Sequence, residues 1–316
     1  MADLYSLFDE VSERRTVEAL ERFTQHDVAA GTVVAREGEV NDAMLLIESG
    51  EVVVEAGGFQ VATMGPGAII GEIGLFTQAI RTATVTTTED TVLQALTRRA
   101  FIDLRLGGNP VAFRIERRAI EQLSARFRTL VADVVNIATR TPGMLLPPRT
   151  KSEYSGHPVP LTPSRIVQGL GAARAFATLE TASLELLASQ LEARQYGAGE
   201  TLASEGREDG PLYLLVHGQV DCVAPVGLGH TVRVATLDPG EVFNLVHHVD
   251  RQARPIAHTA REGVLVLALP ADACMRHLWG NNLPGSALRI AMIRSLSDRV
   301  NQANATFSLG KLLGAE

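Results

Sequence analysis

The chain of 316 residues repeats itself, and that duplication limits the folds open to it more than any other feature. Gly31-Thr-Val-Val-Ala-Arg-Glu-Gly38 answers Gly199-Glu-Thr-Leu-Ala-Ser-Glu-Gly206, at an offset of 168. Gly50, closing Met44-Leu-Leu-Ile-Glu-Ser-Gly50, answers Gly218 at the same offset. From Pro66-Gly67 against Pro239-Gly240 the offset becomes 173, so five residues were added between these landmarks in the second copy. Arg81 and Arg254, Ala95-Leu96 and Ala268-Leu269, and Leu123-Ser124 and Leu296-Ser297 keep the larger offset. Two related domains of roughly 150 residues each are therefore expected. Between them, Pro142, Pro147, Pro148, Pro158, Pro160 and Pro163 mark a stretch at 139–164. Proline removes backbone donors and disfavours helix before it, so this stretch reads as an extended, semi-rigid linker. The expected division is 1–138, 139–164 and 165–316.

Each copy reads as helix, many short strands, then helix. Val17, Leu20 and Phe23 share one helical face ahead of the first strands. From Val28 to Leu96, β-branched runs alternate with Gly, Asn and Asp turn signals, the pattern of a closed or sandwiched antiparallel barrel. A long helix is predicted from Pro110, whose fixed φ suits a helix start. Ile120, Leu123, Phe127, Leu130, Val134 and Ile137 are spaced 3-4-3-4-3, a heptad seam. That seam either pairs two copies of the chain or packs within one. Ile293, Leu296, Val300, Ala303 and Phe307 form a weaker seam in the second copy.

The chemistry is concentrated in Gly67-Ala-Ile-Ile-Gly71-Glu72-Ile73-Gly74-Leu75-Phe76, followed by Arg81-Thr82-Ala83-Thr84-Val85. An arginine fork can hold two phosphate oxygens through parallel charge-assisted bonds. A carboxylate can accept a hydrogen bond from a ribose hydroxyl. If a short helix opens at Gly71, its free amides point at the same anion, and glycine at 71 and 74 lets the backbone approach closely. An anion grip beside a sugar grip describes a nucleotide phosphate site. The bland alternative is an ion pair between Glu72 and Arg81 in a barrel that has lost its ligand. A surface pair contributes only ~0–1 kcal/mol, little physical reason for such a glycine-rich surround.

These residues resemble the cyclic nucleotide-binding domain family, in both copies and along most of the chain. Gly71-Glu72-Ile73-Gly74-Leu75 and Arg81-Thr82-Ala83 match its phosphate-binding cassette, with Ile70 for the usual aromatic residue and Ile80 for proline. Gly71 to Phe76 is especially similar to bacterial catabolite activator proteins. The resemblance implies two mainly β, jelly-roll barrels with flanking helices. It implies that Glu72 binds the ribose 2′-hydroxyl and Arg81 the cyclic phosphate of cAMP or cGMP. Thr82 would reach a phosphate oxygen or a guanine amino group, although threonine in such a strand is equally plain β-propensity. Some relatives of the fold accept a cyclic dinucleotide, which keeps cyclic di-GMP open.

In the second copy Asn244 and Leu245 replace the glycine and the glutamate, while Arg254 keeps its place. Leucine cannot accept the ribose hydrogen bond, and an unmatched buried polar group costs ~1–3 kcal/mol. This degenerate site is expected to be weakened or empty, unless Arg254 holds a different anion. His247, His248, Asp250 and His258 invite a metal reading, but neighbouring histidines on a strand would face opposite ways, so no metal is expected. Cys222 and Cys274 read as small core residues.

No run approaches a membrane span and no secretory leader is visible. Two cysteines are too few for a disulfide framework, so the expected location is the cytoplasm. The net charge of -7 argues against a whole-chain nucleic-acid binder, although residues 98–151 hold eleven basic against four acidic side chains. That stretch is either a solvated helix face or a docking site for an acidic partner. Arginine outnumbers lysine 27 to 2, which suggests a GC-rich bacterial source. The chain ends soon after the second long helix, so no helix-turn-helix and no direct DNA binding are expected. Tandem domains also resemble the regulatory subunits of cyclic nucleotide-dependent kinases, but no kinase segment and no convincing pseudosubstrate arginine run appears before the first domain, so that role is not expected. No catalytic motif emerges, and no enzyme activity is expected. Two functions remain. One is a cyclic nucleotide sensor, with no cofactor, that moves the 110–137 helix and signals to an unidentified protein effector, a homodimer through that helix being left open. The other is a scaffold built on relic barrels.

Overall fold

A computed structural model describes residues 7–40, 43–77, 81, 83–147, 153–173, 176, 179 and 181–314, with the backbone alone of Glu72, Ile73, Thr77 and Ala172. The chain divides into two compact units, Met1–Ala119 and Ile120–Glu316.

The first unit begins with helix α1 (Glu13–Leu20) and continues through β1 (Thr24–Val28), β2 (Val33–Ala35), β3 (Ala43–Ser49), β4 (Val52–Ala56), β5 (Phe59–Met64), β6 (Ile69–Ile70), α2 (Glu72–Thr77), β7 (Thr84–Thr87), β8 (Thr91–Thr97), α3 (Arg98–Leu106) and α4 (Pro110–Ala138). Its two antiparallel sheets have the orders β1-β8-β3-β6 and β2-β7-β4-β5. Ile47, Val52, Val54, Ile70, Val85 and Leu93 fill the space between them, because alternate residues of each strand face inward. In α1 the buried residue is Ala19, whereas Val17 and Leu20 are exposed. The predicted apolar face of that helix is thus not its packed face.

The second unit holds β9 (Leu145–Leu146), β10 (His157–Pro158), α5 (Pro163–Ala172), α6 (Thr181–Ala188), β11 (Glu192–Tyr196), β12 (Thr201–Ala203), β13 (Leu212–His217), β14 (Val220–Gly227), β15 (His230–Leu237), β16 (Val242–Phe243), α7 (Val246–Asp250), β17 (Ala257–Ala260), β18 (Val264–Leu269), α8 (Ala271–Trp279) and α9 (Leu283–Leu313). Its sheets, β10-β11-β18-β13-β16 and β12-β17-β14-β15-β9, repeat the first unit's orders and add one edge strand to each. Both added strands come from the proline-rich stretch. That stretch is extended, as its prolines require, but its described residues are docked on the second barrel rather than spanning solvent.

The duplication extends to single backbone hydrogen bonds. Gly38 N donates to Arg81 O and Gly206 N to Arg254 O, each at 2.9 Å. Gly67 N donates to Ile47 O and Gly240 N to Leu215 O, each at 2.8 Å. Gly50 and Gly218 turn the chain at φ +91° and +83°, and a Cβ on either would come within 3 Å of backbone atoms of the facing loop. Only glycine fits there. The five added residues lie in one hairpin: β14 is three residues longer than β4, and β15 two longer than β5. Both hairpins close through two residues with positive φ, Gly57-Gly58 and Leu228-Gly229, the geometry that matches strand twist.

Helix α4 runs unbroken across the division between the units. Its seam residues Ile120, Leu123, Phe127, Leu130 and Val134 are buried within one chain. Ile137 lies against Gly310 of α9, where an added Cβ would meet Ile137 Cγ2 at 2.9 Å. Val300 and Ala303 of the second seam are likewise buried. Among the described residues no helix is long and apolar enough to cross a membrane.

Candidate nucleotide-binding cassettes

In the first unit, β6 delivers the chain to Gly71 and a single short helix, α2, follows. Gly71 takes φ +77°. The side chain of Arg81 lies directly over it: a Cβ at position 71 would fall 1.2 Å from Nη1. Glycine is needed there for its missing side chain as well as for its backbone freedom. Arg81 is 6% exposed, its Nη2 donates to Ala43 O at 2.8 Å, and its own N donates to Glu39 O at 2.8 Å. The cassette arginine is thus seated from below by β3, beside the start of α2. Gly74, Leu75 and Phe76 are buried. Phe76 meets Phe101 of α3 edge to face, with ring centroids 5.2 Å apart, so the cassette helix bears on the helix that leads into α4. Of Glu72 and Ile73 the structure describes the backbone only, at the start of α2, and Thr82 lies outside the described residues.

The second cassette keeps the path and changes the contents. Asn244 stands where Gly71 does, at φ +59° and fully buried. Asparagine tolerates this left-handed conformation better than most residues. Its Nδ2 donates to Pro211 O at 2.7 Å, and its Oδ1 accepts from Arg254 Nη1 at 3.2 Å. Leu245 is buried and carries no acceptor for a sugar hydroxyl. Arg254, 4% exposed, is fully engaged by the chain. Its Nε donates to Ser204 O at 2.7 Å, its Nη1 to Asp209 O at 2.5 Å, and its Nη2 to the Glu153 carboxylate at 2.7 Å. Arg254 does hold an anion, and that anion is the chain's own. Burial lowers the Arg254 pKa, while Glu153 and Asp209 oppose the shift.

Glu153 belongs to the proline-rich stretch, where no periodicity or motif marks it. Sequence reasoning also missed Arg128. This residue of α4 forks onto Asp250, with Nη2 to Oδ1 at 2.8 Å, and donates through Nη1 to Ala253 O at 2.7 Å. It pins the end of α7 and the loop that leads to Arg254. A guanidinium projecting from a heptad helix was legible only as part of a basic stretch. Of the nine described arginines in that stretch, Arg99 and Arg140 are exposed, Arg105 is buried and the other six are half-buried.

His247 and His248 are not on a strand. They sit on α7, both buried, with ring centroids 4.0 Å apart. The expectation of opposite faces fails because the cassette helix, not a strand, occupies this position. Burial, with Arg254 nearby, holds His247 down to about 4, and burial beside His247 holds His248 down to about 3. His258 lies on β17 with its ring against Phe243 at 5.1 Å. Among the described residues no three His, Cys, Asp or Glu side chains gather as a metal site. Cys222 and Cys274 are buried free thiols, each pushed up to about 12 by burial, which makes them inert core residues.

A profile of the cyclic nucleotide-binding domain matches residues 25–106 and 193–278, more than half of the chain. The cAMP-dependent protein kinase regulatory subunit of Mucor circinelloides f. lusitanicus is 34% identical over 92 residues, 29% of this chain and 22% of that one. The corresponding protein of Eremothecium gossypii is 27% identical over 259 residues, 81% of this chain and 44% of that one. The matches thus span less than half the length of these curated relatives. Both are fungal and lend nothing to a bacterial source. A structure of the regulatory domain of Toxoplasma gondii PKA with cAMP aligns with 18% identity and a TM-score of 0.34, covering 85% of this chain and 86% of that one. With a matching profile over each of the two barrels, the chain belongs to the cyclic nucleotide-binding domain family.

Proposed function

We propose that the protein is a cyclic nucleotide receptor that binds cAMP or cGMP in its first cassette and signals without catalysis. The observation that carries this reading is the seat of Arg81: a buried guanidinium over a bare glycine, beside the first turn of α2. In that seat Arg81 would hold the cyclic phosphate, with Glu72 on the ribose 2′-hydroxyl and the Gly71, Ile73 and Gly74 backbone closing around it. Thr82 is assigned to the phosphate or to a guanine amino group. The functional division follows the cassettes, with 1–138 as receptor, 139–164 as connector and 165–316 as a domain whose cassette holds no nucleotide.

Ligand closing on α2 would press Phe76 on Phe101, and so move α3 and the start of α4. Such a shift requires that ligand bind one arrangement better than the other. The output is a protein effector in the cytoplasm, and the names of the curated relatives make a protein kinase catalytic subunit the first candidate. A homodimer through the 110–137 helix would have to uncover residues already buried in one chain. Sedimentation with and without ligand is expected to show no such dimer. Cyclic di-GMP is a third ligand to try. The test is equilibrium dialysis with cAMP, cGMP and cyclic di-GMP, paired with hydrogen exchange over residues 98–119. Binding of one nucleotide, lost in Glu72→Gln and accompanied by changed protection in α3, is expected. Absence of binding by all three would instead favour a scaffold built on relic barrels.

A further inference from the structure

The segment that carries Glu153 is fixed on the second barrel at several points. Glu153 forms a parallel bridge with Thr201, and Tyr154 N donates to Thr201 O at 2.9 Å. Arg194 Nη1 donates to Ser155 O at 2.6 Å. Gly156, at φ +67°, lies so close to Tyr196 that a Cβ would come within 2.6 Å of its ring. His157 and Pro158 then pair with β11 as strand β10. This path brings the Glu153 carboxylate to the cassette arginine. Its Oε1 accepts from Arg254 Nη2 at 2.7 Å and from Ser204 N at 2.5 Å, and its Oε2 lies 3.5 Å from Arg207 Nη1. Two guanidinium groups and a backbone amide converging on one carboxylate make a seat for a compact anion.

We propose that Glu153 is a tethered occupant of the second cassette: its carboxylate fills the anion seat on Arg254, and closes that site to phosphate-bearing ligands. The seat needs an anion because Arg254 is buried, and a buried cation is tolerated only when paired. A tethered partner supplies it at a high effective concentration, which a dilute external ligand must overcome. The second domain therefore stays permanently in its anion-filled arrangement. The proposal concerns a cassette without a ribose-binding carboxylate and is independent of what the first cassette binds.

The test restores the anion from solution. Glu153→Ala in the full chain is expected to lower the thermal midpoint by several degrees. Sodium formate, titrated at constant ionic strength against chloride, should then raise it again in a saturable way in the millimolar range. The rise in formate should exceed any rise in the wild-type chain, whose second seat is already filled. Glu153→Gln keeps the shape and removes the charge. Its midpoint should fall too, without recovery in formate, because the amide still fills the seat. If Glu153→Ala does not fold, the fall in Glu153→Gln decides alone. A Glu153→Gln chain as stable as the wild type would overturn the proposal. So would a Glu153→Ala chain that responds to formate no differently from chloride.

Discussion

The two cassettes have one backbone and opposite contents. Arg81 and Arg254 each donate through N to a residue of the facing loop at 2.8 Å and each accept from a conformationally equivalent glycine at 2.9 Å. Arg81 lies over Gly71 and donates to Ala43 O, whereas Arg254 meets Asn244, Asp209, Ser204 and Glu153. The cassette helices differ in the same sense. Phe76 of α2 bears on an aromatic ring of α3. α7 instead ends at Asp250 in the fork of Arg128, and Val249 and Cys274 occupy the positions of that aromatic pair. On the proposed reading, a barrel keeps its arginine for two unlike purposes, one cassette receiving an anion and the other consuming its own. The carboxylate that meets Arg254, Glu153, is contributed from outside the repeat.

The largest expected effect separates stability from binding. Arg254→Ala should cost about 3 kcal/mol in chemical denaturation, since it removes the buried partner of Glu153. It should leave nucleotide stoichiometry unchanged. A cost below about 1 kcal/mol, the level of a surface pair, would remove the distinction between the arginines.

Acid should sharpen the contrast next. Burial holds His247 down to about 4 and His248 down to about 3, below the ordinary histidine value of about 6.5. Between those values the folded chain keeps them neutral while the unfolded chain binds protons. Stability is therefore full above about pH 6.5 and falls as pH drops towards 4, by at most about 2.7 kcal/mol per pH unit for two groups. Unfolding measured from pH 7 to 4 should show this fall in the second unit, and replacing both histidines by glutamine should flatten it. An unchanged slope in that double variant would contradict the assignment.

Exchanging the two residues at the helix entrance probes the seat itself. Gly71→Asn should displace Arg81 and weaken nucleotide binding at least tenfold, a loss of about 1.4 kcal/mol or more. The reverse change, Asn244→Gly, should create no second site, because Glu153 remains in place. Dialysis on both variants reads the outcome directly, and a second bound nucleotide in Asn244→Gly would show that the asparagine alone had closed that cassette.

The smallest effect lies in the hairpins. Leu228 is fully exposed at φ +50°, where the first copy has glycine. Leu228→Asn gives the Asn-Gly pair favoured by this turn and should stabilise the chain by about 0.5–1 kcal/mol. A thermal midpoint at or below that of the wild type would show that the left-handed leucine carries no strain.

The duplication, the barrel strands and the long helix from Pro110 were legible because they rest on local signals: glycines at positive φ, β-branched runs and heptad spacing. Even the five-residue change of offset falls cleanly into one hairpin. What the sequence concealed depends on chain path. Glu153 is an ordinary acid among prolines until strand β10 carries its neighbours along β11 to Tyr196. His247 and His248 read as a strand pair because a five-residue helix is too short to show periodicity. The seam of α4 was read correctly as apolar, but a heptad pattern is the same whether a second chain or the chain itself covers it. Position 71 was read as a close approach of backbone to ligand, whereas the arginine side chain itself takes up that space.

The most direct test is calorimetric titration of the full-length protein with cAMP and with cGMP, beside Arg81→Ala and Arg254→Ala. One nucleotide per chain is expected, retained in Arg254→Ala and abolished in Arg81→Ala. Two nucleotides per chain, or one that survives in Arg81→Ala, would contradict a receptor with a single open cassette.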